Sequence, residues 1–212
     1  MELLQSIQQL SAMPIPNFLM KGLLHDYHQP NDKIHQLLER KILQQVKKGL
    51  YIAGPAVSQM QPDPFLIANH IYGPSYVSLE SALSHHGLIP ERVYERTSVT
   101  TKPSKKFNTP IGIFSYVHLP LPYYSFGIKS IEIAPLQHTL IASPEKALWD
   151  KIITTSGVDF RSKKSVVTYM ENDLRVDLER LKELDVSEME TWLQVAPKSK
   201  SLLVLIETIR QL

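Results

Sequence analysis

Apolar residues in the first fifty positions fall into short runs of distinct period. Leu3 to Leu10 and Phe18 to Leu24 both repeat at helical spacing, and Met13-Pro14-Ile15-Pro16-Asn17 separates them with prolines that a helix interior does not accommodate. Two helices are predicted, with Asn17 as the N-cap of the second. Gln29-Pro30-Asn31 then turns the chain into a third helix, capped by Asn31 or Asp32, whose Ile34, Leu37 and Leu38 can face a core. Lys33, Gln36 and Arg40 share a different face of that helix. From Ile42 the period changes to two: Ile42, Gln44 and Val46 alternate with Leu43 and Gln45. Lys47-Lys48-Gly49 makes a turn, and Leu50-Tyr51-Ile52 returns as a second strand.

Three helices followed by a hairpin with a basic tip are the pattern of a winged helix. A helix face carrying cations and an amide suits a DNA groove, because Lys and Arg meet phosphates or guanine and Gln can pair with adenine. The wing lysines would hold the sugar-phosphate backbone, adding affinity without reading sequence. Lys33, Gln36 and Arg40 are therefore the candidate groove-reading residues, and Lys47 and Lys48 the candidate wing contacts.

Gly54-Pro55 and the polar stretch Ser58 to Pro62 read as a linker, which divides the chain into residues 1–57 and 58–212. In the second part Asp63 caps a helix that begins at Pro64 and is stopped by Gly73-Pro74. Ser78 opens another, ended by Gly87. Arg92 to Thr100, Gly112 to Leu119 and Ser130 to Ile141 are rich in β-branched and aromatic residues, and are expected to be antiparallel strands. Ser143-Pro144-Glu145-Lys146 supplies a cap, an N1 proline and a first-turn acid for a helix through Ile153. A helical tail is expected from about residue 162, with Leu174, Leu178, Leu181 and Leu184 on one stripe and Leu202, Leu205, Ile206 and Ile209 on another. The fold class is mixed α+β: an N-terminal winged helix-turn-helix, then an antiparallel sheet with a helical C-terminal part.

Composition narrows the chemistry. With 212 residues, 43% hydrophobic and 21% charged, the chain has room for a small domain joined to a medium one. No apolar run reaches the roughly 18 residues of a membrane span, and MELLQSIQQL does not resemble a signal peptide, so a cytoplasmic protein is expected. The absence of cysteine excludes disulfides, thiolate nucleophiles and Cys-based zinc sites. The formal charge of +2 conceals a split. Glu171 to Glu190 holds eight acids against Arg175, Arg180 and Lys182, while cations gather in the wing and between Arg96 and Lys106. In the latter stretch Arg96, Lys102, Lys105 and Lys106 interleave with Thr and Ser, a mixture suited to phosphate contacts, and they form a candidate second surface for the DNA backbone.

Catalytic constellations are weak. Glu145, Lys146 and Asp150 share a helix, but Glu145 suits the positive helix end and Lys146 with Asp150 forms an i,i+4 pair, which is a structural arrangement. The eight histidines include His70, His85 and His86, without metal-ligand spacing or a completing acid cluster. Pro62-Asp63 has no downstream Glu-x-Lys partner for a nuclease site, and no Gly-rich phosphate loop is present. No catalytic residue, metal or cofactor is expected.

Several phrases together resemble the AbiEi family of abortive-infection antitoxins. They are Lys47-Lys48-Gly49-Leu50-Tyr51 in the wing, Ala68-Asn69 with Pro74 to Leu83, Thr100-Thr101-Lys102, Phe107-Asn108-Thr109, and Ile141 to Asp150, in the family's order over roughly residues 17–153. The resemblance implies an N-terminal winged helix that represses its own operon, a C-terminal domain needed for antitoxicity, and a neighbouring nucleotidyltransferase toxin opposed without a stable complex. A lone winged helix reads few base pairs, so double-stranded operator DNA with inverted repeats and a dimer or cooperative pair are expected. The competing expectation is a protein-interaction module that captures a toxin directly, with the winged helix as scaffold.

Overall fold

The computed structural model describes residues 2–212. Its N-terminal part runs α1 (Glu2–Gln9), β1 (Ile15–Pro16), α2 (Asn17–Leu23), α3 (Pro30–Glu39), β2 (Leu43–Lys47) and β3 (Leu50–Ala53). The strands form a three-stranded antiparallel sheet in the order β1-β3-β2. Gly49, at φ 79°, lets the chain reverse between β2 and β3, a backbone region that favours glycine. The two expected helix caps differ from those observed. Asn17 lies inside α2, and its backbone N–H donates to Gly49 O at 2.9 Å. In α3 the start shifts to Pro30, whose fixed φ and missing N–H suit the first helical position, so Gln29 takes the cap position ahead of Asn31 and Asp32.

Ile34 and Leu37 of α3 are buried and Leu38 packs partly against them, as their spacing predicts. They join Ile7, Ile15, Met20 and Leu24 in a small core. Because side chains alternate along a strand, β3 serves two cores. Tyr51 and Ala53 face the small one, whereas Leu50 and Ile52, with Val46 of β2, enter the larger core of the rest of the chain.

That larger part contains α4 (Pro64–Ile71), β4 (Ser75–Val77), α5 (Leu79–His85), β5 (Arg96–Thr100), β6 (Lys105–Thr109), β7 (Gly112–His118), β8 (Ile128–Ala134), β9 (Gln137–Ala142) and α6 (Pro144–Thr154). The six-stranded sheet has the order β6-β7-β5-β4-β9-β8. It is mixed, which corrects the expectation of an antiparallel sheet: β4 runs parallel to β9 and β5 parallel to β7. β6 intervenes between β5 and β7, and β4 and β9 are distant in sequence, so no hairpin turn links either parallel pair to reveal its direction. Ser130 to Ile141 also proves to be two strands, folded back on each other at Leu136, a non-glycine residue at φ 64°.

Helices cover both faces of this sheet. Tyr116 O–H donates to Ala68 O of α4 at 2.6 Å on one face, and Tyr76 O–H reaches Asp150 of α6 on the other. Asp63 accepts from Phe65 N and Ser143 from Lys146 N, so α4 and α6 start at their expected caps. Ser78 lies at the N-cap of α5 but makes no capping bond, because its hydroxyl is committed elsewhere. The tail is helical in pieces: α7 (Lys163–Thr168), a π-helical turn at Tyr169–Asp173, α8 (Leu178–Lys182), α9 (Val186–Trp192) and α10 (Ser199–Ile209). Leu202, Leu205, Ile206 and Ile209 form the buried stripe of α10. No described helix is long and apolar enough to cross a membrane.

Candidate nucleic-acid interface

The exposed side of α3 carries Gln36, and Arg40 follows at its C-cap, also exposed. Lys33 is half-buried, its ammonium 5.1 Å from the centre of the Tyr27 ring. A cation held over an aromatic face is partly satisfied there. The two wing lysines diverge. Lys48 is exposed at the turn, while Lys47 is half-buried and stands 5.5 Å from the Phe107 ring centre in β6.

Phe107 brings the wing to part of the expected second basic surface. Lys105 lies 5.0 Å from the same ring and 5.9 Å from Tyr72, and Lys102 lies 5.1 Å from Tyr72. Lys47, Lys102 and Lys105 thus share one aromatic ledge. Burial lowers the Lys47 pKa, and repulsion from Lys105 and then Lys102 lowers it further. The other two candidates stand apart. Lys106 alternates to the opposite side of the strand and pairs with Glu95 at 2.7 Å, just outside the acid-free stretch. Arg96 turns its guanidinium to Tyr94 O at 2.6 Å.

A groove of about 360 Å³ between α3 and the hairpin joins Lys48, a candidate wing contact, to residues that the sequence pattern did not assign to DNA. Asn31 and His35 line its helix side, Gln45, Lys48 and Tyr51 its hairpin side, and Asn17 one end. A helical wheel separates a buried face from an exposed one but does not say which flank the following hairpin will lie against. Successive helical residues are about 100° apart, so Lys33 projects far from His35 and away from this groove. A larger, shallow concavity of about 670 Å³ lies along residues 155–173. There Ser162 and Ser165 are committed to a capping box, and Asp159 is bonded to Ser201 and Arg161.

The Glu145, Lys146 and Asp150 group occupies the core. Asp150 accepts from Tyr76 O–H at 2.9 Å, Ser78 O–H at 2.7 Å, Tyr123 O–H at 2.9 Å and Lys146 Nζ at 2.7 Å. The Lys146 ammonium sits 3.4 Å from the centre of the Tyr123 ring. Burial lowers the Lys146 pKa against the opposing pull of Asp150. Burial, and then the Asp150 charge, raise Tyr76 and Tyr123 well above the ordinary tyrosine range. Glu145 accepts the Asp185 N–H at 3.0 Å. With Lys146 and Asp150 both fully buried, the group is placed to hold α6, β4 and the Tyr123 turn together. The i,i+4 spacing predicts the pair; its depth and its tyrosine partners arise from segments distant in sequence.

No protein-family model and no curated protein matches the chain.

Proposed function

We propose that this chain is a DNA-binding regulator whose N-terminal part is a winged helix, with α3 as the recognition helix and the β2-β3 hairpin as the wing. The observation that carries this reading is the placement of the exposed Lys48 hairpin tip beside the Asn31 and His35 flank of α3 on one small unit, with Gln36 and Arg40 exposed further round the helix. Gln36 and Arg40, with Lys33 able to leave Tyr27, would enter the major groove; Lys47 and Lys48 would meet phosphates. Lys105 extends the same cationic surface past the wing, and Lys102 lies beside it with its ammonium donating to Gly73 O, whereas Lys106 and Arg96 turn to Glu95 and Tyr94 O.

The resemblance to the AbiEi antitoxins gives this binding a purpose: repression of the protein's own toxin-antitoxin operon through inverted repeats, with antitoxicity against a nucleotidyltransferase toxin residing in the C-terminal part. The test is a titration of the purified protein into its own upstream DNA and into an unrelated duplex across a salt series. Selective, salt-sensitive binding that Lys33→Ala/Arg40→Ala abolishes is the expected result. Equal or absent binding to both duplexes overturns the reading. Stable co-purification with a co-expressed neighbouring toxin would then favour the protein-interaction alternative.

A further inference from the structure

The groove between α3 and the hairpin is lined by six polar side chains: Asn17, Asn31, His35, Gln45, Lys48 and Tyr51. Each can donate a hydrogen bond. Among the described residues, none of the six has a side-chain partner within the protein, and no carboxylate lines the groove. Asp32 and Glu39, the acids of α3, lie outside it. Tyr51 is the sharpest case. It is only 7% exposed, yet its hydroxyl meets neither a protein acceptor nor complete burial, because it opens onto the groove. Such a hydroxyl is normally bonded. Its position is set by β3, whose Leu50 and Ile52 are anchored in the larger core on the opposite face of the strand.

Six side chains able to donate, one of them a lysine and none a carboxylate, suit an anion that accepts hydrogen bonds. The count of charges identifies it further. Lys48 is the lone lysine or arginine on the lining, which matches a singly charged phosphodiester better than a doubly charged phosphate monoester. Ile34 and Leu38 supply an apolar floor, suited to the sugar carbons that flank a phosphodiester in a strand.

We propose that this groove seats one phosphodiester of a DNA strand, held by Lys48, His35 and Tyr51 with the amides of Asn17, Asn31 and Gln45. The inference rests on the DNA-binding reading and moves the principal backbone contact from the wing tip alone to the cleft behind it. It also divides the labour on α3. Asn31 and His35 fix the strand, whereas Gln36 and Arg40, further round the helix, remain for the bases.

The test uses the full chain and both duplexes described above. Tyr51→Phe removes one oxygen and preserves the core contacts; His35→Ala and Asn31→Ala act at the surface. A loss of about ten-fold or more per variant, equal on the two duplexes, is expected, since hydrogen bonds to a charged group are among the stronger ones. Lys48→Ala should also reduce the salt slope by about one. Thermal unfolding checks that each variant folds. If wild-type protein selects its own DNA and the groove variants bind as wild type, the phosphate site is overturned and the DNA-binding reading stands. A loss confined to the cognate duplex also overturns it, because it would make these residues readers of sequence. Titration with inorganic phosphate, followed through the side-chain amide resonances of Asn17, Asn31 and Gln45, separates the two sources of the anion. Saturation by free phosphate in a protein that binds neither duplex would overturn a DNA strand as the occupant.

Discussion

Asp150 lies one helical turn beyond Lys146 and accepts its ammonium at 2.7 Å, with neither side chain exposed to solvent. Two charges at this depth persist only when every remaining lone pair and proton finds a partner. Tyr76, Ser78 and Tyr123 complete the carboxylate, and the faces of Tyr123 and Tyr76 receive the ammonium.

Removing one charge alone should therefore be much worse than removing both. Lys146→Met is expected to lower unfolding stability by about 3–5 kcal/mol, whereas Lys146→Met/Asp150→Leu should recover a substantial part of that loss. Urea denaturation of the two variants beside wild type provides the comparison. A double variant no more stable than the single one would contradict this account.

Alkaline pH should unfold the protein through its tyrosines. Tyr76 and Tyr123 are held protonated by burial and by Asp150, and burial raises Tyr116 and lifts Tyr124 to about 12. In the unfolded chain a tyrosine ionises near 10. Above that pH the folded state retains more protons, so stability falls as pH rises, by up to about 1.4 kcal/mol per pH unit for each fully buried tyrosine. Lys146 acts with the opposite sign: its pKa is lowered on folding from 10.5, so its penalty is relieved as pH rises through the range below that value. The tyrosines outnumber it. Melting temperature should drop steeply above about pH 10, with tyrosinate absorbance appearing together with unfolding. Tyrosinate formation well before unfolding would refute the assignment.

Gly127 supports the same region through the space it leaves. It has φ 61°, and a Cβ there would lie 2.6 Å from Lys146 Cβ and 2.8 Å from Trp192 Cη2. Gly127→Ala should destabilise by about 2 kcal/mol or more, from overpacking and a strained backbone. Gly22→Ala in α2, where nothing lies within 4 Å, should be neutral or slightly stabilising. Thermal melts of both variants test the contrast, which similar losses would disprove.

On the proposed DNA-binding reading, adjacent lysines should behave differently. Lys105 shares the aromatic ledge with Lys47, while Lys106 is paired to Glu95. Lys105→Ala should reduce the salt slope of binding by about one, and Lys106→Ala should leave it unchanged. Equal slopes for the two variants would remove Lys105 from the interface.

Local patterns revealed what depends on neighbours in sequence. The spacing of Ile34 and Leu37, the Asp63 and Ser143 caps, and the apolar stripe of α10 all reflect interactions within a few residues. The three-residue strand β4 was too short to show a period, and the turn at Leu136 lacked the glycine that usually marks a left-handed residue. Ser78 has the sequence context of a cap but donates to Asp150, 72 residues away. The candidate interface divides in the same manner. Lys33, Gln36 and Arg40 follow from a helical wheel and Lys48 from the turn pattern, whereas the other donors of the groove emerge only once the hairpin lies against one flank of α3.

The β2-β3 hairpin has apolar side chains on both faces, with Leu43, Tyr51 and Ala53 turned to the small core and Val46, Leu50 and Ile52 to the large one. The polar stretch near residue 58 is consequently bridged by packing and hydrogen bonds. Gln61 reaches back to Ala53 O, and Gln137 ties the same stretch to the sheet. On the proposed DNA-binding reading, a head swivelling on a tether could adapt to half-sites at varied separations, whereas one that shares its hairpin with the larger core would present one orientation. Any pairing of two copies on DNA would therefore work as a ruler, and inserting half a helical turn between the repeats would place the second head on the wrong side of the duplex.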